Sequence, residues 1–290
     1  MASMRDIQRR KTSVQSTGQI TKAMKLVSTV KLQKAKERAQ NARPYFKGML
    51  QTVHSILARA GEIKHPYLQG VEGAKKAVIV ISSNRGLAGG YNSNITKLLL
   101  NQENFGKENT VLYTIGKKAK ELLERKGYVT KKDFPDVIED PMYSDAMAIC
   151  REVLEDYANG EIGEIYLAYT EFRNTVSHIP TLVKMLPVSK EDVQPEEQQE
   201  ENVKFIPMNF ETDEAEMLDL LIPKYISSLI YGGLMQAVAS ENGARMTAMD
   251  SATNNAEEMI ADLSLKYNRA RQSSITQELT EIIAGAEAIS

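Results

Sequence analysis

At each end of the 290-residue chain lies a stretch long enough, and free enough of helix breakers, to form a single helix longer than a globular domain of this size needs. From Arg5 to Arg43 there is no proline, and Gly18 is the sole glycine. Ile20, Met24, Val27, Val30, Ala35, Ala39 and Ala42 recur every three to five positions, which predicts a helix with one narrow apolar stripe. Pro44 is expected to stop or kink it, with helical patterning resuming through Leu50, Val53 and Leu57 up to Gly61.

From about Asp213 to Ile289 the helical pattern returns, broken only by Pro223 and Gly232-Gly233, and predicts a rod of roughly 110 Å at about 1.5 Å per residue. Ala248, Ala252, Ala256, Met259, Leu263, Tyr267 and Ala270 step by about 3.67 residues, a spacing that implies little or no left-handed supercoil. Farther on, Ile275, Leu279, Ile282, Ala286 and Ile289 keep a heptad spacing of fours and threes. Stripes so narrow and so rich in alanine bury too little surface for a lone helix, while their short side chains admit a partner backbone closely. The expected partner of each end is the other end. A protruding apolar tip must in turn sit inside something.

The middle of the chain reads differently. Ala77-Val-Ile-Val-Ile-Ser82 is a β-branched run of the kind buried on both faces of a parallel sheet. A glycine-rich loop follows, then a helix from Tyr91 to about Leu100, a strand Thr110 to Ile115, and a helix from Lys117 to Lys126 closed by Gly127. A helix Ser144 to Tyr157 and two strands, Ile165 to Phe172 and Thr181 to Val188, complete the unit as an antiparallel pair. The predicted fold is α/β: a long antiparallel coiled coil of N- and C-terminal helices plus a central Rossmann-like α/β domain. Its parts are an N-terminal coiled-coil helix (1–60), the central domain (75–190), an acidic linker (191–212) and a C-terminal coiled-coil helix (213–290).

Charge is segregated although the net charge is only −2. Residues 1–47 hold twelve Lys and Arg against Asp6 and Glu37, a balance of +10, whereas residues 189–220 hold eleven acids against Lys190 and Lys204, a balance of −9. The acidic stretch reads as a solvated loop. The basic helix reads either as a face for nucleic acid or anionic lipid, or as one for an acidic protein surface. The first thirty residues share the basic, hydroxyl-rich composition of transit peptides, but their periodicity runs on past position 40, so they read as mature structure. No apolar run approaches the roughly 20 residues that cross a bilayer, and the single Cys150 excludes an internal disulfide or a CxxC pair.

Motifs for chemistry are weak. The segment Ser82 to Asn94 follows a strand and precedes a helix, where phosphate loops occur, but no Gly-Lys-Ser/Thr closes it, and Gly86, Gly89 and Gly90 do not fit Gly-x-Gly-x-x-Gly. The glycines read better as a turn that needs positive φ and close packing. His54, His65 and His178 lie far apart with no partner at ligand spacing. No Gly-x-Ser-x-Gly elbow or calcium loop occurs, so neither a catalytic group, nor a metal, nor a cofactor is expected.

Particular residues carry a resemblance that the pattern alone cannot. Arg5-Asp-Ile-Gln-Arg-Arg10, Gln19-Ile-Thr-Lys-Ala-Met-Lys-Leu-Val-Ser28, Ser82-Ser-Asn-Arg-Gly-Leu-Ala-Gly-Gly-Tyr-Asn92, Glu241-Asn-Gly-Ala-Arg-Met-Thr-Ala-Met-Asp-Ser-Ala-Thr-Asn-Asn255 and Tyr267-Asn-Arg-Ala-Arg-Gln-Ser-Ser-Ile-Thr-Gln-Glu-Leu-Thr-Glu-Ile-Ile283 closely resemble the gamma subunit of F-type ATP synthases. The match runs through both ends and the centre, in order.

The resemblance implies that the paired ends stand in the cavity of a hexamer of three alpha and three beta subunits. The α/β body would meet the epsilon subunit and the membrane c-ring. Proton flow would turn the ring and this chain with it, driving each beta site through binding, synthesis and release of ATP, while the chain itself binds no substrate. Carried over by position, Met24 and Lys25 would face the acidic lever loop of beta, with Arg9 and Arg10 in the basic neck nearby. Arg245, Gln272, Thr276 and Glu278 would make polar contacts with beta and the alpha-beta sleeve. Ile275, Leu279, Ile282, Ala286 and Ile289 would form an apolar bearing tip.

Chloroplast members carry an extra segment with a cysteine pair, which this chain lacks. That favours a bacterial chain on the cytoplasmic face of the plasma membrane over a plastid one, with a processed mitochondrial chain as the other reading. Two competing readings of the same sequence are a static coiled-coil scaffold and a nucleotide-binding enzyme centred on residues 75–190.

Overall fold

The run Ala77–Ile81 has no polar face, so it can be satisfied only by cover on both sides, and it becomes the central strand of a five-stranded sheet. In the computed structural model, which describes residues 4–59, 65–70, 73–188 and 214–287, the sheet order is β3-β2-β1-β4-β5. The strands are β1 (Lys75–Ile81), β2 (Thr110–Ile115), β3 (Val129–Asp133), β4 (Ile162–Phe172) and β5 (His178–Leu186). β1 pairs in parallel with β2 and β4, β2 with β3, and β5 closes the far edge antiparallel to β4. The helices are α1 (Met4–Arg59), α2 (Tyr91–Leu100), α3 (Lys117–Glu124), α4 (Tyr143–Ala158) and α5 (Glu214–Glu287).

Two compact units result, residues 30–244 and residues 1–29 with 245–290. In the first, the even positions Val78 and Val80 pack with Leu112 and Ala168 under α2 and α3, through Ile95, Leu99, Ala119 and Leu123. The odd positions Ala77, Ile79 and Ile81 pack on the other face against Ile149, Val153 and Tyr157 of α4, against Val53 and Ile56 of α1, and against Leu218, Ile222, Ile226, Ile230 and Leu234 of α5. Period-2 alternation thus assigns each side of the strand to its own helical layer.

α2 and β2 have the predicted bounds, and the others differ by a few residues. Three elements depart from expectation. Pro44 and Pro223 break neither helix; a proline costs a helix about 3 kcal/mol, and the apolar residues of the same helices buried against the sheet outweigh it. Gly232-Gly233 also lies within α5, where Gly233 lets the helix press on the sheet: a Cβ there would stand 2.9 Å from the Leu167 side chain. The strand β3, sequence Val-Thr-Lys-Lys-Asp, was not expected at all. The predicted linker 191–212 lies outside the described residues.

β3 is an edge strand with little to bury, so polar contacts hold it. Lys131 bridges Asp156 of α4 and Glu161, at 2.6 Å each, Lys132 pairs with Glu152, and Asp133 takes both Lys120 and the Thr114 hydroxyl at 3.0 Å. Tyr113 donates its phenol hydrogen to the Asp156 carboxylate. Burial opposes the charge on Asp156, but the bonds from Lys131 and Tyr113 outweigh it and hold the carboxyl below its ordinary value. Such a group stabilises the fold above its unfolded pKa and loses that contribution as pH falls through the folded one. Asp156→Asn is therefore expected to flatten the loss of stability below about pH 4, read as urea midpoints against pH; a variant with the wild-type acid slope would contradict the assignment.

In the second unit the two ends run antiparallel. Gly18 lies against Ala256 at 3.4 Å from its would-be Cβ, the Thr21 and Thr253 hydroxyls share a 2.8 Å hydrogen bond, and Lys25 pairs with Asp250 at 2.5 Å. On α1 the buried or half-buried positions are Met4, Ile7, Lys11, Val14, Gly18, Thr21, Lys25 and Ser28, with Met24 beside them. On α5 they include Met249, Thr253, Ala256, Ile260, Leu263, Tyr267, Ala270 and Ser274, flanked by Ala248, Asp250, Ala252 and Ser264.

Both seams step by threes and fours, the heptad spacing of a left-handed pair, in place of the spacing of about 3.67 expected from the alanines. The predicted α1 stripe is also displaced: Ile20 and Val27 are more than half exposed, as is Val30 in the other unit, and Met259 of α5 points outward at 42%. The reason is size. Around Gly18, Thr21, Thr253 and Ala256 the close approach of the helices selects small residues for the seam, so polarity is a poor guide there to which face is inside.

Candidate functional site

Outside the seam, several charged residues of the paired helices face out. Arg9 and Arg10 are exposed. Arg10 lines a cavity of about 550 Å³ with Asp6 and Ile7 of α1 and Leu263, Lys266, Arg269, Ala270 and Ser273 of α5. Sequence spacing had not singled out Lys266 or Arg269, because the patch they make with Arg10 is assembled across two helices. Met24 and Arg245 are half-buried. Lys25 does not point freely outward, since its ammonium is bonded to Asp250.

Farther along α5, Gln272, Thr276 and Glu278 are exposed. The Thr276 hydroxyl donates back to the Gln272 carbonyl at 2.9 Å, and Ser274 donates to Glu278 at 3.3 Å, so these groups are oriented by their own helix. Ile275, Leu279, Ile282 and Ala286 are exposed too, and Ile289 lies outside the described residues. Ile283, at 64%, widens this apolar strip beyond the heptad positions. Every described residue from 275 to 286 is exposed, so the strip has no cover among the described residues.

The glycine-rich loop after β1 engages its polar side chains internally. Ser82 Oγ donates to the Gly116 carbonyl (3.1 Å) and accepts from the Ala119 amide (3.0 Å). The Ser83 amide donates to Asn92 Oδ1 at 3.1 Å, and Asn84 Oδ1 accepts from the Lys117 amide at 3.1 Å, covering the start of α3. Gly89 takes positive φ, and so does Leu87, at +63°. This is a turn tying two βα junctions together.

Elsewhere in the α/β unit the titratable groups are structural. Burial pushes the Cys150 thiol up to about 11, against hydrogen bonds from Ser227, which leaves it protonated and unreactive. Burial holds His178 below its usual value. Among the described residues no group of three His, Cys, Asp or Glu is placed to hold a metal, and the side chain of His54 lies outside them. No described helix is long and apolar enough to cross a membrane.

Known proteins carry the same arrangement. The ATP synthase family model matches residues 3–289. The ATP synthase gamma chain of Lachnoclostridium phytofermentans is 63% identical over 291 residues, which cover the whole of both chains. The sodium ion specific gamma chain of Acetobacterium woodii is 40% identical over 298 residues, covering 99% of this chain and 98% of that one. Among solved structures, a chain of the Euglena gracilis mitochondrial ATP synthase OSCP/F1/c-ring assembly shares the fold with a TM-score of 0.68 at 17% identity, covering 99% of this chain and 94% of that one. An end-to-end match to relatives of the same length, with the same long-helix and sheet architecture, makes this chain a member of the ATP synthase gamma-chain family.

Proposed function

We propose that the chain is the central rotor shaft of an F-type ATP synthase, with its paired end helices standing in the cavity of the alpha-beta hexamer and its α/β unit meeting the epsilon subunit and the c-ring. Ion flow through the membrane sector turns the ring and the shaft, and the shaft's unequal outer face drives the catalytic beta subunits in turn. The chain supplies no catalytic group and works as part of a complex peripheral to the membrane, on the cytoplasmic side of a bacterial cell.

One observation carries this reading most strongly. The two end helices pair through a heptad-spaced seam and leave a basic surface and an apolar strip outside, both on the same unit. Exposed charges that attract through water at several Å are suited to repeated making and breaking, since attraction of this kind steers without locking. Arg9, Arg10, Met24, Arg245, Gln272, Thr276 and Glu278 are the residues assigned to beta and the sleeve. Ile275, Leu279, Ile282, Ala286 and Ile289 are assigned to the bearing, where apolar contact lacks directional bonds that resist turning.

The test is assembly. Mixed with purified alpha and beta subunits, the chain should co-elute at one copy per three alpha and three beta and confer ATPase activity on the complex. Elution apart from them, or at another ratio, would sink the proposal.

A further inference from the structure

Where α4 meets the start of α5, inside the α/β unit, an open cavity of about 500 Å³ remains between the two helices. That is within the roughly 300–1,000 Å³ that small-molecule sites occupy. Its floor is Cys150 and Leu154 of α4 with Pro223 and Ser227 of α5. The polar atoms of the floor satisfy one another, because the Ser227 hydroxyl and the Cys150 thiol both donate to the Pro223 carbonyl, at 2.8 and 3.4 Å.

The walls include the rings of Tyr67 and Tyr143, and neighbouring rings brace both. Tyr143 stands edge-on to Tyr45 and Tyr231, with centroids 6.2 and 5.8 Å apart. Tyr67 packs on His65 and Tyr157, at 5.2 and 6.2 Å. Aromatic walls held in this way are already in place before anything enters, which removes part of the cost of binding.

The mouth differs from the floor in leaving its polar groups unmatched. Arg151 of α4 and Lys224 of α5 are exposed, line the cavity from different helices, and have no ion pair among the described residues. Glu155 lies one turn from Arg151 on α4 and makes no bond to it. Lysines beside the same helix behave otherwise, for Lys131 and Lys132 each find an acid of α4. The Tyr67 hydroxyl also has no hydrogen-bond partner among the described residues. Burial raises that phenol above its ordinary value, so it remains a donor at neutral pH.

We infer that this cavity binds a small aromatic acid, with its ring system between Tyr67 and Tyr143 and its carboxylate held by Arg151, Lys224 and the Tyr67 hydroxyl. Aromatic walls suit a flat apolar body. Two unpaired cations facing one carboxylate of the lining leave a positive charge in excess, which selects an anionic head over a neutral one. A bound acid ties α4 to α5 and stabilises the α/β unit by mass action. The site lies wholly within residues 30–244 and does not depend on the shaft reading.

Naphthoate is a suitable probe, since the chain has no tryptophan to overlap its fluorescence. Titrated into the full-length chain, it should show one saturable site. The methyl resonance of Met147, a residue of the lining identified by its loss in Met147→Leu, should shift in step with occupancy. The neutral analogue naphthamide should bind about tenfold more weakly, and Arg151→Gln and Lys224→Gln should each weaken naphthoate by about threefold to tenfold. Both side chains are exposed, so these variants keep the fold.

Absence of saturation at millimolar naphthoate, equal binding of acid and amide, or an affinity unchanged in both charge variants would overturn the site. Binding that leaves the Met147 methyl unmoved would overturn it too, because the acid would then sit elsewhere. None of these results bears on assembly with alpha and beta, whose failure would sink the shaft reading and leave the cavity as described.

Discussion

Gly116→Ala is expected to cost the α/β unit about 3–4 kcal/mol, a large fraction of the stability of an ordinary domain. Gly116 ends β2 at φ +88°, a region where a Cβ is strained by about 1–2 kcal/mol before any contact is considered. The contact is worse than the strain: the new Cβ would stand 2.3 Å from the Ser82 carbonyl oxygen and 2.7 Å from its carbon. Backbone cannot swing away as a side-chain tip can, and here it is pinned. The Ser82 amide donates to Ile115 O at 2.8 Å, and Ser82 Oγ holds the first turn of α3. Relieving the clash therefore means parting β1 from β2 at the junction both following helices depend on. Urea unfolding followed by the near-ultraviolet signal of the α/β unit measures it; a loss under about 1 kcal/mol would contradict the close approach.

Gly18 gives the second large effect, with a sign that depends on the size of the substituent. A Cβ at Gly18 would meet Ala256 Cβ at 3.4 Å, an ordinary contact. Gly18→Ala should thus stabilise the paired helices by about 0.5–1 kcal/mol, the usual gain from removing a glycine inside a helix. Gly18→Leu pushes three more carbons into a seam where Ala256, Thr21 and Thr253 already touch, and should destabilise by about 1–3 kcal/mol while forcing the helices apart. Thermal unfolding followed at the helical wavelength separates the two. Destabilisation by both variants, or by neither, would mean that the helices do not approach as closely as described.

These two glycines also mark what the sequence could and could not disclose. β1 was legible because a run with no polar face has only one stable setting, and α2 and β2 because turn residues bracket them on both sides. β3 was not, since Val-Thr-Lys-Lys-Asp carries the composition of a loop; its stability comes from the β2 edge and from acids on α4 that are distant in sequence. That Pro44 and Pro223 leave their helices unbroken was not legible, since the sheet on which the apolar residues of those helices are buried is formed by distant segments.

The seam of the paired ends shows the clearest limit. Apolar periodicity pointed to Ile20, Val27 and Val30, yet those side chains face outward, and Gly18, Thr21, Lys25 and Ser28 lie within. A search for hydrophobic stripes assumes that the inside is greasy, while closely packed helices ask first that it be small. For the proposed contact surface the same logic works in reverse. Arg9, Arg10, Gln272, Thr276 and Glu278 were identified through motif resemblance and are exposed, but Lys266 and Arg269 join Arg10 only through the pairing of distant segments. The pairing of Lys25 with Asp250 could not be read without coordinates.

The most direct measurement is rotation. The chain, assembled with alpha and beta subunits fixed to a surface and carrying a bead on an exposed residue of its α/β unit such as Val176, should turn in one direction on addition of ATP. It should pause at three equally spaced angles per revolution, one for each beta subunit. A complex of the right stoichiometry that hydrolyses ATP while the bead stays at one angle, or wanders without direction, would contradict the account and leave the paired helices as a static scaffold.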